Sequence, residues 1–257
     1  GMFMAGDGYK TVSDWQFNIS KHGLSELRIP LVVYALGWNV FPYDKTGLTS
    51  FAIGHIKETY KTASLFSVRN LGSHIELQNR GIPSVRCIPD PGYFCIPSDI
   101  KLPGIYRDTY CVGICWPGDR PELRTQGTVD TKTQIAKFCH QINEFLFLKS
   151  NSKVVYIPHV AKYDLDPEII QTFQEELGDK FYNVAKELPF LYPEKLEYVS
   201  VIAGIYKQMD VAIGMRGHGC MIPYGLGVPV VAYGEHNKVK FFAGDTGYSK
   251  HFQDINQ

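Results

Sequence analysis

The sequence has no surplus of charge of either sign: 26 basic and 26 acidic residues leave a formal net charge of zero. That removes the basic excess by which nucleic-acid-binding modules are usually known, without excluding a local anion site. No apolar run reaches the ~18 residues needed to cross a bilayer. The first residues do not join a basic region to an apolar core, as a secretory signal would. Cysteines are few, and Cys87, Cys95, Cys111, Cys115, Cys139 and Cys220 form no CxxC pair. Zinc-type spacing is therefore absent, and a chain of this length needs no disulfide staples. Cys111 and Cys115 bracket an apolar run and are expected to pack as small hydrophobes. No cluster of metal-ligating residues stands out, so no metal is predicted, and no solenoid-length repeat is present. The cysteine usage points to a reducing compartment, so the chain is expected in the cytoplasm.

What is present is a regular alternation of short apolar runs and amphipathic segments over 257 residues, enough for one large domain or two. Met2-Phe3-Met4 reads as a strand entering the turn Ala5-Gly6-Asp7-Gly8. Residues 13–27 read as helical, 31–37 as a buried strand, and 49–63 as a helix with apolar residues at helical spacing. A short strand over 65–70 ends at Arg69, and a helix over 73–80 closes at Gly81. After a strand and turn at 85–91, residues 97–108 carry two prolines, a glycine and mixed charge, and are expected to link two halves. The pattern then restarts: strand 110–116, a one-sided helix within 130–149, strand 153–159, a helix capped by Asp166 with Pro167 next, a further strand at 181–185, and a helix over 195–209 with Val199 on its apolar face. Such alternation predicts parallel sheets in an α/β fold.

The densest signal is Val211-Ala212-Ile213-Gly214-Met215-Arg216-Gly217-His218-Gly219, followed by a short helix and the strand-like Gly227-Val228-Pro229-Val230-Val231-Ala232-Tyr233. Arg216 and His218 fall where a parallel strand hands over to a helix, which is where open α/β sheets place ligands. Helix-start N–H groups favour an anion there, and an arginine fork beside an imidazole suits a carboxylate or phosphate. Taken singly, Arg216 reads as a structural ion pair and His218 as a satisfied buried histidine. Together, framed by glycines, they read as a site. Asp7, Asn39, Arg69 and His159 also stand at carboxyl strand ends. Asp7 either caps the next segment or faces substrate. Arg69 either faces the cleft or pairs with Asp90 or Glu76. Asp90, between two prolines, reads as a turn residue.

Met215-Arg216-Gly217-His218, the later Gly227-Val228-Pro229-Val230 and Lys238 resemble the C-terminal signature of the polysaccharide pyruvyl transferase family. Ser67-Val68-Arg69-Asn70 with Ser73 and Leu77 is similar to that family's strand–arginine segment and following helix. Pro89-Asp90-Pro91 resembles its Asp-Pro turn, and the glycine turn around Asp7 lies where the family has one. The resemblance implies two Rossmann-like doubly wound halves facing across a cleft, as in GT-B glycosyltransferases. These would be an N-terminal half at 1–100, shortened at its start, and a C-terminal half at 101–257. The implied activity is transfer of a pyruvyl group from phosphoenolpyruvate to a saccharide, free or lipid-linked, forming a ketal during cell-surface polysaccharide synthesis. The donor is a substrate, and no cofactor is implied.

On that reading Arg216 binds phosphate or carboxylate, and His218 contacts phosphate or acts as general acid and base, since histidine titrates near pH ~6.5. Arg69, Asp7, Asn39, Gly217, His159 and Lys238 line the substrate cleft. Gly217 and Asn70 depart from the family pattern, which has a bulky aliphatic and an acid at those places. They motivate a second reading, a non-catalytic relative that binds sugar or an anion. A third is a GT-B nucleotide-sugar glycosyltransferase, which would use the same strand-end cations for a diphosphate. A nucleic-acid partner is not expected.

Overall fold

The computed structural model describes residues 2–3, 11–41, 43, 47–124, 130–187, 198–247 and 249–255. Asp7 and its glycine turn lie outside them. Two parallel sheets organise the described residues. The first joins β1 (Met2–Phe3), β2 (Val32–Trp38), β3 (Leu65–Val68) and β4 (Arg86–Cys87) in the order β1-β2-β3-β4. Its helices are α1 (Lys21–Ser25), α2 (Ser50–Thr62) and α3 (Leu71–Gln78). Only Lys21–Ser25 is helical within the stretch expected to be a helix over 13–27. The part before it forms turns in which Ser13 Oγ donates to the carbonyls of Trp15 and Phe17, the local bonding by which serine competes with a helix.

The second sheet contains β5 (Tyr110–Cys115), β6 (Ser152–Tyr156), β7 (Phe181–Asn183), β8 (Val211–Gly214), β9 (Val230–Tyr233) and β10 (Phe252–Gln253) in the order β10-β9-β8-β5-β6-β7, every pair parallel. The connecting helices are α4 (Pro121–Arg124), α5 (Thr131–Phe145), α6 (Ala161–Asp164), α7 (Pro167–Leu177), α8 (Val184–Glu187), α9 (Tyr198–Tyr206), α10 (Gly217–Gly225) and α11 (Asn237–Asp245). Numbered from β5, this is the 3-2-1-4-5-6 Rossmann order, whose winding reverses between β5 and β8. Alternation along the strands feeds a core on each face. Cys111, Val155 and Ala212 pack with α9, α10 and α11 on one side, and Val112, Ile114, Val154 and Tyr156 with α5 and α7 on the other.

Caps set several boundaries: Asp130 accepts from the Thr133 N–H and Asp166 from Glu168 and Ile169. The segment 97–108 packs onto the second lobe, with Leu102 in its core and Ser98 N–H donating to the Ser200 carbonyl. The lobes also meet through α11. Phe241 packs against the first lobe's core, lying where a side chain at Gly72 would stand, since a Cβ there would come within 2.2 Å of its ring. The Asp245 carboxylate accepts from the Leu71 N–H at 3.1 Å. Among the described residues, no helix is long and apolar enough to cross a membrane.

Candidate functional site

A cleft of about 720 Å³ opens between the lobes, bounded by Arg69, Asp90, His159, Arg216, Gly217, His218 and Lys238 on its polar side. Tyr34, Cys95, Tyr198, Val199 and Ile202 make the apolar side. The strand ends converge as parallel sheets require: Arg69 follows β3, His159 follows β6, and Arg216 and His218 follow β8.

Arg216 sits at the winding reversal, yet it does not present a free charge. Its Nη2 is paired with Asp119, which follows β5, and with Asp164 at 2.5 Å, while Nε donates to Asp164 at 3.2 Å. Asp164 is fully buried and also accepts backbone N–H bonds from Gly118, His159 and Val160. Asp119 is further held by Arg124 at 2.8 Å. Burial alone would raise the Asp119 carboxyl, but Arg124 and Arg216 outweigh it and bring it to about 2. Burial likewise opposes the charge on Arg216, and Asp164 more than restores it. Arg216 thus lines the cleft with its charge already paired, the ion-pair alternative raised for it above. Two carboxylates neutralise it, and its ion pairs tie the loops after β5, β6 and β8 together.

The other basic groups lie nearer the first lobe. Arg69 is buried, with Nη1 donating to Asp90 Oδ2 at 2.9 Å, and its Nε has no partner. Gly37 makes room for this guanidinium, since a Cβ there would approach Arg69 Nε to 2.2 Å. Glu76, the other candidate partner, pairs with Arg80. The Asp90 Oδ1 accepts from the Gly92 N–H at 2.8 Å and stands 3.3 Å from His218 Nε2. Burial would raise the Asp90 carboxyl, but His218, the Gly92 N–H and Arg69 together hold it well below the usual range. His218 itself is about half exposed to the cleft.

Lys238, expected near the site from the family signature, is buried. Its Nζ donates to Asn39 Oδ1 at 3.0 Å. Burial, then the charges of Arg124, Arg69 and Arg216, push its pKa well below that of an ordinary lysine. Asn39 is buried, with its Oδ1 engaged by Lys238. Gly217 lies between the two cations: a Cβ there would stand 3.6 Å from Arg69 Nη2 and 3.7 Å from Lys238 Cδ. The absent side chain leaves that space open beside the first turn of α10, whose leading N–H groups have no intrahelical partner. His159 bonds through Nε2 to the Tyr206 hydroxyl at 2.8 Å. Burial and the nearby Arg216 and His218 charges lower it to about 3, so it stays neutral.

Sequence reasoning missed three features. Asp119 and Asp164 carry no local signal, because their partner is distant in sequence. Tyr34 sits in a strand read as buried, but β2 is irregular between Val33 and Leu36, and Ala35 adopts φ 49°. Such an irregularity re-aims side chains, and Tyr34 is exposed on the cleft wall. Val199, expected to face the core, is also exposed there. The Asn70 departure has a structural account: its Oδ1 caps α3 by accepting the Ser73 N–H at 2.8 Å, which an aspartate would do equally.

The family model described as polysaccharide pyruvyl transferase matches residues 6–237. No curated protein matches the chain. Among solved structures, an S. aureus MnaA–UDP co-structure aligns at 13% identity and TM-score 0.50, over 89% of this chain and 55% of that one. The UDP-GlcNAc 2-epimerase of Methanocaldococcus jannaschii aligns at 12% identity and TM-score 0.50, over 98% of this chain and 65% of that one. The chain thus spans about half to two thirds of the length of these structures. The likeness is one of fold, two sheet-centred lobes of the GT-B kind.

Proposed function

The chain belongs to the polysaccharide pyruvyl transferase family, and from its cleft we propose that it moves a pyruvyl group from phosphoenolpyruvate onto two hydroxyls of a saccharide. The lobes of this reading are residues 1–100 and 101–257. The acceptor is a polysaccharide or its precursor, free or lipid-linked, met in the cytoplasm or at the inner membrane face. The observation that carries the reading is that Arg69 from one lobe and His218 and Lys238 from the other border one cleft.

Phosphoenolpyruvate brings a carboxylate and a phosphate on three carbons. Arg69, Lys238 and the N-terminus of α10 surround the space left by Gly217 and supply the charge such a dianionic head needs. His218, on the exposed side of that space, donates a proton to the methylene carbon. The first acceptor oxygen bonds to C2 and its proton passes to His218. The second acceptor oxygen then bonds to C2, the C2–O bond to phosphate breaks, and the second proton leaves with phosphate. Two hydroxyl protons enter, one ending in the new methyl group and one on phosphate. Cations fixed before the reaction stabilise the departing phosphate without reorganisation. Tyr34 and Tyr198 offer apolar faces to the acceptor ring. Arg216 acts from behind by holding the loops in place.

At the winding reversal the Arg216 guanidinium is already paired with Asp119 and Asp164, so a diphosphate there would have to displace these ion pairs to reach it. The test is phosphate release from phosphoenolpyruvate with a panel of saccharide acceptors. His218→Ala should lower the rate by about 10²–10⁴. An unchanged rate removes His218 from the mechanism. Thermal stabilisation by uridine or guanosine diphosphates in place of phosphoenolpyruvate supports the glycosyltransferase reading, and phosphoenolpyruvate binding without turnover supports the non-catalytic one.

A further inference from the structure

We propose that Asp90 is a positioning residue of the cleft: its single buried carboxylate holds His218 with Nε2 as the proton-bearing nitrogen, turns Nδ1 to the substrate, and fixes Arg69 beside it. The inference deepens the pyruvyl-transfer reading and rests on it for its kinetic consequences.

Asp90 has the geometry for three tasks at once. Its Oδ2 receives Arg69 Nη1 at 2.9 Å. Its Oδ1 receives the Gly92 N–H at 2.8 Å and faces His218 Nε2 at 3.3 Å. The residue is only 5% exposed, so water does not compete for these lone pairs. A turn cap needs one oxygen and no charge, and asparagine would serve as well. The second oxygen and the charge are surplus to capping, and both are directed at groups that border the cleft. The turn itself is anchored: Pro91–Phe94 packs on α10, and a Cβ on Gly225 would meet the Tyr93 carbonyl oxygen at 2.1 Å. Asp90 therefore cannot drift from the helix that carries His218.

An imidazole has two distinct nitrogens, and the bond made by one settles the state of the other. With a carboxylate at Nε2, the neutral ring keeps its proton there and Nδ1 is left as acceptor. That is the state needed after His218 has protonated the methylene carbon and must next take a proton from the acceptor hydroxyl. The other charged or titratable groups around the ring do not compete for Nε2. Arg216 is taken by Asp119 and Asp164, Lys238 by Asn39, and His159 by Tyr206. Carboxylate–imidazole pairs do this work in other sites by fixing tautomer and ring orientation.

The test combines kinetics with nitrogen NMR on the whole chain. Asp90→Asn keeps the shape and the Gly92 cap while removing the charge. It should lower kcat by about 10- to 1000-fold. In a His218→Ala background the same change should cost less than in the wild-type chain, because only the part that runs through Arg69 remains. Nitrogen shifts of His218 in the wild-type chain should show the neutral ring protonated at Nε2, and Asp90→Asn should mix the two tautomers. A wild-type ring protonated at Nδ1, or equal losses from Asp90→Asn with and without His218, would overturn the proposal. If Asp90→Asn does not fold, the wild-type spectrum alone decides. Failure of the wild-type chain to release phosphate would count against the pyruvyl-transfer reading, whereas the tautomer bears on Asp90 alone.

Discussion

Lys238 Nζ donates to Asn39 Oδ1 at 3.0 Å, joining the helix after β9 to the loop after β2 across the cleft floor. A buried lysine amine with a neutral amide for its partner and three arginines acting on it holds its proton less tightly than an exposed lysine does. Its pKa is depressed by burial first and by Arg124, Arg69 and Arg216 next.

That depression gives a pH dependence with a definite sign. An unfolded lysine takes up its proton below about pH 10.4, whereas Lys238 in the native chain does so only at lower pH. Between those two values the unfolded state binds more protons, so native stability falls as pH falls, by up to about 1.36 kcal/mol per pH unit. Above about pH 10.4 there is no penalty. Thermal unfolding of Lys238→Met against the wild-type chain should therefore show a difference that moves in favour of the variant as pH is lowered from about 10. A constant difference across pH would contradict this.

Anion binding should reverse the same depression. Phosphoenolpyruvate beside Lys238 restores its proton, so binding should be accompanied by proton uptake and tighten as alkaline solutions are brought toward neutrality. Calorimetry in two buffers of different ionisation enthalpy measures the uptake directly. Lys238→Met should abolish it and weaken binding.

Arg216→Met should unfold the chain more easily without a competing gain. It strands Asp164, which is fully buried, and leaves Asp119 with Arg124 alone. Removing one member of a buried charge network costs about 3–5 kcal/mol. For a chain of this size each kcal/mol lowers Tm by roughly 2–4 °C. Arg216→Lys should recover little, because an ammonium cannot bridge two carboxylates as a guanidinium fork does.

Asp119 should govern part of the acid limb of stability. Its carboxyl lies at about 2 in the native chain and about 3.9 when unfolded. The stabilisation, roughly 2–3 kcal/mol, is complete above the unfolded value and is lost as pH falls through the native one. Asp119→Asn should lower stability at neutral pH and flatten its loss between about pH 4 and 2. Denaturant unfolding at a series of pH values checks both.

Gly37→Ala should raise KM for phosphoenolpyruvate. The added methyl would stand 2.2 Å from Arg69 Nε, forcing the guanidinium away from Asp90. If KM is unchanged, Arg69 does not serve the donor.

The alternation of strands and helices was legible in the chain alone, because periodicity, caps and closing glycines are local: Thr49 caps α2, Asp166 caps α7, and Gly81 takes φ +81° after α3. So were the residues at carboxyl strand ends, and the family signature raised Lys238 above other lysines. What those residues do there depends on the packing of the lobes. Asp119 and Asp164 lie 97 and 52 residues from Arg216, and Lys238 lies 199 residues from Asn39, so no window of sequence contains both partners. What a charge meets is set by what the winding of two sheets brings within about 3–4 Å of it, and that winding paired Arg216 with Asp119 and Asp164, Arg69 with Asp90 and Lys238 with Asn39, and left His218 half exposed to the cleft.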